Sequence, residues 1–466
     1  MIKRYNATKD NTITNAFRES LATSGSQANM GASDILEVFS IYGQVQDDAG
    51  VYSREEARIL IEFDIAEIQA DIDAGTLIVG TGTDLDAKFY LRLFNAEHGR
   101  TLPMGFQLEV DTITAAWEEG TGLDMENYDD LTYGNGSSWE QKGGGVNWAV
   151  EGGEFSFSPI SVDFDEGYED LLLDITTIVN AWLTAPATNY GLIIKLPQLL
   201  AGGQPRSYYT KMFFARGTSN FFKKPVIEAR SNSQITDHRK SFLSDVSSNI
   251  YLYNEVRGQL TNLDAPVTVK FYEELGGAEI TATVGPTVTS PETGVYKAET
   301  TLTTSASTIY DVWSSDGTEV VTGSITVLSQ APTGIPDVND LVVSVLNNQD
   351  VHYSGQTSRF YFYIREKDWS PNIFTTATTR PDSKVYDNLK FKICKVVTDE
   401  TIFGYDMTDN STTLSYDSNG NFFDLDISLL EPNYVYEIKL ALFNVMTKSY
   451  QELPFKHRFR VVNNEY

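Results

Sequence analysis

Arg58-Ile-Leu-Ile-Glu-Phe63-Asp64 is an apolar run, rich in isoleucine, that closes on an acid, and it reads as a β-strand. Stretches 35–39, 88–93, 107–110 and 192–196 have the same strand character. Only two stretches in this half space their apolar residues three and four apart, as a helix face requires. They are 65–72 and 175–182, the second with Ile175, Ile178, Val179 and Trp182 on one side. Asp174 or Thr176 offers an oxygen to cap that second helix, since a side-chain acceptor satisfies a free N–H at a helix start. Trp182 is expected to lie over a sandwich core, not to form a sugar platform. The first 230 or so residues therefore read as one long antiparallel β unit.

Around the opening strand stand further phrases in a fixed order. They are Asn29-Met30-Gly31, Ala87-Lys-Phe-Tyr-Leu-Arg-Leu93, Trp117-Glu118-Glu119-Gly120, Asp174-Ile-Thr-Thr-Ile-Val-Asn-Ala-Trp182, Asn189-Tyr190-Gly191 and Lys224-Pro225-Val226-Ile227. Together with 58–64 they resemble the DNRLRE, carbohydrate-binding-module-like β-sandwich family. In that family an N-x-G turn, an R-x-x-x-x-F-D strand, an A-x-L-x-L strand, W-x-E, a helix ending V-x-x-W, N-Y-G and a P-x-L strand follow one another. The resemblance covers about half the chain and implies a jelly-roll-like sandwich over 1–232. One departure concerns the approach to the last strand. The family's serine-rich segment is replaced by Phe213-Phe214-Ala215-Arg216, so the sugar-binding detail does not transfer.

A polar stretch, Ser231-Asn-Ser-Gln-Ile-Thr-Asp-His-Arg-Lys-Ser241, reads as a linker or an ordered clip, placing a connector at 233–245. The next unit, 246–330, carries short strand-like pieces at 249–254, 267–272, 294–298, 308–313 and 323–327. Their spacing suits a small immunoglobulin-like sandwich with Trp313 as its core tryptophan. Ala331-Pro-Thr-Gly-Ile-Pro336 is a hinge, and the last unit, 337–466, repeats the theme at 360–364, 391–397, 422–427, 435–440 and 455–462. Asp417-Ser-Asn-Gly420 is a hairpin turn, because Asn-Gly tolerates positive φ. Leu430-Glu-Pro-Asn-Tyr-Val-Tyr-Glu-Ile-Lys-Leu440 is similar to a strand lead-in of phage baseplate, neck and collar sandwiches. The fold expected is all-β: three β-sandwiches in series, the first jelly-roll-like and the other two immunoglobulin-like.

Composition bounds the function. At 466 residues there is room for roughly two to four domains. Hydrophobic residues make up 41%, enough for real cores, and aromatics 12%, which favours β-rich packing. A net charge of −29 argues against unaided binding to DNA or RNA, whose phosphates need matched Lys and Arg. Between Arg100 and Lys195 Lys142 is the one basic residue against 17 acids, which reads as a solvated acidic surface. The single cysteine, Cys394, excludes an intrachain disulfide and reads as a strand thiol. The first residues lack the apolar run of a signal peptide, and no stretch approaches the ~18 apolar residues of a membrane span. Folding in a host cytoplasm, with no membrane insertion, is the expectation.

Chemistry is harder to find. His98, His238, His352 and His457 are dispersed without zinc-ligand spacing, and no G-x-S-x-G or Walker loop occurs. Gly80-Thr-Gly82 and Gly134-Asn-Gly136 read as turns. Glu118 and Glu119 beside Trp117 match the residue types of sugar cleavage, but the W-x-E phrase makes them structural. Asp124, Glu126, Asp129 and Asp130 form an acidic loop with hard oxygen ligands for Ca2+, although it lacks the EF-hand glycine and closing glutamate. No other cofactor is expected.

Two readings remain. The first is a non-enzymatic structural protein of a tailed bacteriophage virion: a neck, collar, tail or capsid-decoration component. It would dock against other virion proteins and assemble as a homo-oligomer, with the first domain either anchoring to the particle or projecting outward to touch host-surface glycan. The second is a carbohydrate-binding protein whose Trp117, Trp139, Trp148 and Tyr190 stack on polysaccharide rings. Exposure of these aromatics on one open face separates the two.

Overall fold

The computed structural model describes residues 1–466 apart from 19–20, 42, 47, 80–85, 98–101, 124–135, 199, 201–208, 233, 330–337, 371–380, 406–409, 445–446 and 465–466. Strands dominate. In the first unit they are β1 (Ile2–Thr14), β2 (Ile35–Ile41), β3 (Glu55–Phe63), β4 (Lys88–Leu93), β5 (Phe106–Thr112), β6 (Gln141–Gly143), β7 (Val146–Asn147), β8 (Ile160–Phe164), β9 (Leu171–Asp174), β10 (Leu192–Lys195), β11 (Tyr209–Phe214) and β12 (Val226–Arg230). Hydrogen bonds order them β8-β5-β10-β3-β1-β12-β4-β9, with β2 joining β3 and β11 joining β2, while β6 and β7 form a separate hairpin. β1 closes the sandwich. Its first residues, from Ile2 to Asn6, pair with β12, and after an irregularity between Ala7 and Lys9 the rest pairs with β3. One strand thus passes from one layer into the other.

Side-chain alternation fills this unit. Ile59, Ile61 and Phe63 of β3 and Leu192 and Ile194 of β10 point into the core, where they meet Phe89, Leu91 and Leu93 of β4. Leu60 and Ile193, on the opposite face, belong to a second cluster behind the sheet. Burying each such side chain stabilises by about 1.5–3 kcal/mol relative to exposure. The two expected helices are α1 (Ala66–Asp73) and α2 (Thr176–Thr184). α2 turns Val179 and Trp182 onto the core. Asp174 caps it from one residue outside, its Oδ1 accepting the Thr176 N–H at 2.9 Å. Thr176 has a different task, accepting the Phe89 N–H at 2.9 Å and so pinning the helix start to β4.

The middle unit is a smaller sandwich. One sheet holds Ser248–Tyr253, Val295–Leu302 and Ala282–Glu292; the other holds Phe242–Leu243, Thr318–Leu328, Thr308–Ser315 and Val267–Tyr272. Trp313 is fully buried between them with Ile250, Phe271 and Ile325. Phe242, inside the expected connector, is part of this core, and its short strand runs parallel to Val327 and Leu328.

The last unit pairs Leu341–Val345, Thr357–Glu366, Gly420–Asp426 and Ser415–Asp417 in one sheet. Its second sheet contains Val351–Tyr353, His457–Val462, Val435–Asn444, Leu389–Lys395 and Glu400–Phe403. Cys394 is a buried strand thiol. The Asp417 hairpin forms, but positive φ falls on Gly420 (+146°) and not on Asn419. The Leu430 lead-in has a physical basis: the Tyr436 hydroxyl donates back to the Glu431 carbonyl at 2.8 Å, a tyrosine-corner geometry. Among the described residues no helix is long and apolar enough to cross a membrane.

Candidate functional site

The four aromatics singled out in the sequence do converge, but as a wall. Trp117, Trp139 and Trp148 are 3%, 5% and 5% exposed and pack with Ile13, Leu60, Ile113 and Ile193 on the back of β3 and β10, with Tyr190 half-buried against them. Both polar indole edges resolved by hydrogen bonds turn inward. Trp117 Nε1 donates to the Tyr190 carbonyl and Trp148 Nε1 to the Ser138 carbonyl, each at 2.9 Å. The Arg58 guanidinium lies 4.6 Å over Trp139 and its NH1 donates to the Gly152 carbonyl at 2.7 Å. Gly152 is required there: at φ +83° a Cβ would stand 2.8 Å from the Trp139 ring. Buried indoles are the arrangement that the sequence reading attaches to a scaffold role, while the stacking role belongs to its second reading.

A polar node borders this wall and explains two of the sequence phrases. Asn29 Nδ2 donates to the Glu119 and Ser137 carbonyls, both at 2.8 Å, while its Oδ1 accepts from Gly31 and Gly122 N–H groups. A Cβ on Gly31 would fall 2.2 Å from the Glu119 carbonyl, so N-x-G and W-x-E are two halves of one contact. Glu119 accepts the Asp10 N–H at 2.9 Å and takes a bidentate pair from Arg216 at 3.0 and 2.7 Å. Arg216 marks the departure from the family phrase, and its role was invisible before folding. Asp10 is buried, and burial pushes its carboxyl up to about 7; Glu119 adds to the rise while the Arg216 N–H and charge oppose it. Glu118 accepts the Gly144 N–H at 3.0 Å. Each acid of the suspected pair is thus engaged in holding a loop.

Asp124, Glu126, Asp129 and Asp130, the calcium candidates, lie outside the described residues, as does His98. Among the described residues no group of three or more His, Cys, Asp or Glu is placed to hold a metal. His352 and His457, both in the last unit, share one aromatic nest: their rings lie 5.0 and 6.1 Å from Phe360. Burial lowers both imidazoles below their usual value.

Residues 234–239 of the polar stretch form an ordered clip. Gln234 Nε2 donates to the Leu414 carbonyl at 2.8 Å, Tyr416 N–H to the Ile235 carbonyl at 2.8 Å, and Asp237 N–H to the Tyr416 carbonyl at 3.1 Å. Arg239 then forms a bidentate pair with Asp311 of the middle unit at 2.7 and 2.8 Å, and Asp311 also accepts Trp313 Nε1 at 2.7 Å. Burial pushes Asp237 up to about 7, against the pull of Arg239. The first unit touches the last directly. Glu228, buried, binds Arg4, Arg92 and Arg230, and Arg4 continues to the Ile402 carbonyl at 3.3 Å and over the Phe403 ring at 4.8 Å. Phe222 enters the last unit's core beside Tyr436. Where the three units meet lies a cavity of about 350 Å³, lined in part by Ile2, Ile235, Glu292, Phe391, Phe403 and Phe423.

A scan of protein-family models matches nothing in the chain, and a search of curated proteins finds no match. Solved structures align with parts of it. The adhesin InvE of Yersinia pseudotuberculosis is 17% identical over 47% of this chain and 56% of its own, with a TM-score of 0.16. Invasin, a bacterial integrin-binding protein, is 11% identical over 92% of this chain and 60% of its own, with a TM-score of 0.17. Domains 5–6 of the S-layer protein SbsC are 11% identical over 48% of this chain and 93% of their own, with a TM-score of 0.22. The alignment with InvE and with invasin therefore spans less than two thirds of either protein. At these scores the likenesses carry no argument, and the seven-phrase resemblance of the first unit rests on sequence alone.

Proposed function

We propose that this chain is a non-enzymatic structural protein of a tailed bacteriophage particle, acting as a pre-assembled body that other virion subunits and further copies of itself grip. The observation that carries this reading is the interlock of the three sandwiches. The clip at 234–239, the Arg4 reach to Ile402 and Phe403, and Phe222 in the far core make each unit part of its neighbour's packing. Such bracing suits a subunit that neighbours hold as one body. The acids and tryptophans with catalytic or sugar-binding potential are engaged in internal contacts. Docking edges remain: Ala282–Glu292 is an edge strand, bonded in its sheet on one side only, with most residues exposed. The particle assignment itself leans on the Leu430 lead-in, whose tyrosine corner gives that phrase its geometry.

The test combines composition with turnover. Mass spectrometry of purified particles should find the chain in fixed stoichiometry with known tail or capsid subunits, and the purified chain should release no reducing ends from polysaccharides. Absence from the particles, or glycan cleavage that Glu119→Gln abolishes, would overturn the reading.

A further inference from the structure

Lys211, in the middle of β11, is fully buried, and among the described residues its amine pairs with no carboxylate. Nζ donates to Asn95 Oδ1 at 2.7 Å, to the Gly167 carbonyl at 2.9 Å and to the Glu169 carbonyl at 2.7 Å. The rings of Phe164 and Phe213 stand 4.9 and 5.3 Å from Nζ. Lysines are rarely buried without a paired acid, because stripping water from an ammonium is costly. Burial accordingly brings Lys211 down to about 8, with Glu169 and Asp170 opposing the fall only in part. A neutral amine, the nucleophilic form, is therefore populated close to neutral pH.

The backbone holds Asn95 against this amine. Beyond the end of β4 the chain runs beside β11: Phe214 N–H donates to the Phe94 carbonyl and Ala96 N–H to the Met212 carbonyl, both at 3.0 Å. Asn95 N–H is tied to Asp170 Oδ1 at 2.8 Å. The carboxamide carbon lies one C=O bond, about 1.2 Å, beyond the oxygen that Nζ already touches. Nζ therefore stands within about 3.9 Å of Cγ, and this held proximity is what an intramolecular attack draws on. Glu169 completes the group. Its backbone carbonyl accepts from Nζ, and its Oε1 accepts the Glu166 N–H at 2.6 Å; burial would raise its carboxyl, but backbone N–H groups and the Lys211 charge hold it below the usual value, as a carboxylate.

We propose that the folded chain joins Lys211 to Asn95 through an intramolecular isopeptide bond. The Nζ lone pair attacks Cγ of Asn95, forming the C–N bond, and the Cγ–Nδ2 bond breaks. One proton passes from Nζ to Nδ2, and the nitrogen leaves as ammonia. Atoms and electrons balance with no oxidant, metal or second substrate. Glu169 is assigned the relay of that proton as the nearby base, since the charge of its carboxylate acts on the Lys211 ammonium. The product is a covalent tie between the end of β4 and β11. It closes a loop from residue 95 to residue 211 and locks one edge of the first sandwich. This inference does not rest on the proposed particle role.

Intact-mass spectrometry of the purified full-length chain tests it without depending on any variant's folding. The expected mass is lower than the sequence mass by one ammonia. Peptide mapping should then recover a branched peptide containing both Lys211 and Asn95. Lys211→Met and Asn95→Ala should restore the full sequence mass change expected for each substitution alone, and Glu169→Gln should leave much of the chain unlinked. An unshifted mass in the folded wild-type chain overturns the proposal. So does an ammonia loss that maps elsewhere, for instance to a succinimide at Asn419-Gly420. Complete linkage in Glu169→Gln overturns the role given to Glu169.

Discussion

Trp139 shows how much one side chain decides. Its ring is covered by Arg58 and by the glycine turn at Gly152, so Trp139→Ala should cost about 3–5 kcal/mol, as large core truncations do. Denaturant unfolding would measure this; a neutral substitution would mean an exposed, ligand-ready ring. Titration gives a second test at this scale. Asp10 and Asp237, raised to about 7 from 3.8, hold protons in the folded chain that the unfolded chain has released. Their contribution to stability is therefore present below the unfolded value and is lost as pH rises toward 7. Glu228 works the other way: burial would raise it, but Arg4, Arg92 and Arg230 hold it at about 2 against 4.5, so its contribution vanishes as pH falls toward 2. Stability followed from pH 2 to 8 should rise and then decline, and Asp10→Asn should shallow the decline. An unchanged slope would refute the Asp10 assignment. Of this scale the sequence disclosed the Trp-Glu and Asn-x-Gly phrases, but not their meeting. Arg216 and Glu119 are 97 residues apart, and nothing local signals their pairing.

Strands were legible wherever apolar residues alternate, and illegible where burial is polar. The strand expected at 267–272 falls there, the one expected at 308–313 runs on to Ser315, and both helices lie within two residues of where periodicity puts them. β1 escaped, because Lys3, Arg4, Lys9, Asp10 and Asn11 give it no hydrophobic period. Its second half buries Asp10, Asn11, Thr12 and Thr14, each with a side-chain hydrogen bond that a periodicity test cannot weigh. Ala282–Glu292 escaped for the opposite reason: it is exposed along most of its length and broken by Pro286 and Pro291. Turns offer the sharpest element-scale test. Gly191 has φ +87°, and a Cβ there would sit 2.1 Å from the Ile61 carbonyl, at the pairing of β10 with β3. Gly50 has φ +78° with open space around it. Gly191→Ala should therefore destabilise well beyond the ~1–2 kcal/mol of the left-handed conformation alone, which is all that Gly50→Ala should cost. Equal melting shifts for the two variants would contradict the close-packed turn.

At the scale of the whole molecule, sandwich units were readable from strand spacing and punctuation, and the clip from its polar composition. Which units touch was not, because contacts such as Arg4 to Ile402 span 398 residues. Arg239 is the keystone that can be removed: Arg239→Ala takes the paired guanidinium from buried Asp311 and leaves it the Trp313 Nε1 bond, a loss on the order of 3–5 kcal/mol. Limited proteolysis should then cut within 234–239, where the wild-type clip resists; equal resistance would remove the clip from the account. The central claim is that three braced sandwiches serve as a body held by other subunits. A high-resolution reconstruction of the assembled particle reaches it most directly. It should show this chain at symmetry-related positions, the three units in one fixed arrangement, and edges such as Ala282–Glu292 covered by neighbouring protein. Particles with no density for the chain, or units hinged freely about 234–239, would contradict it.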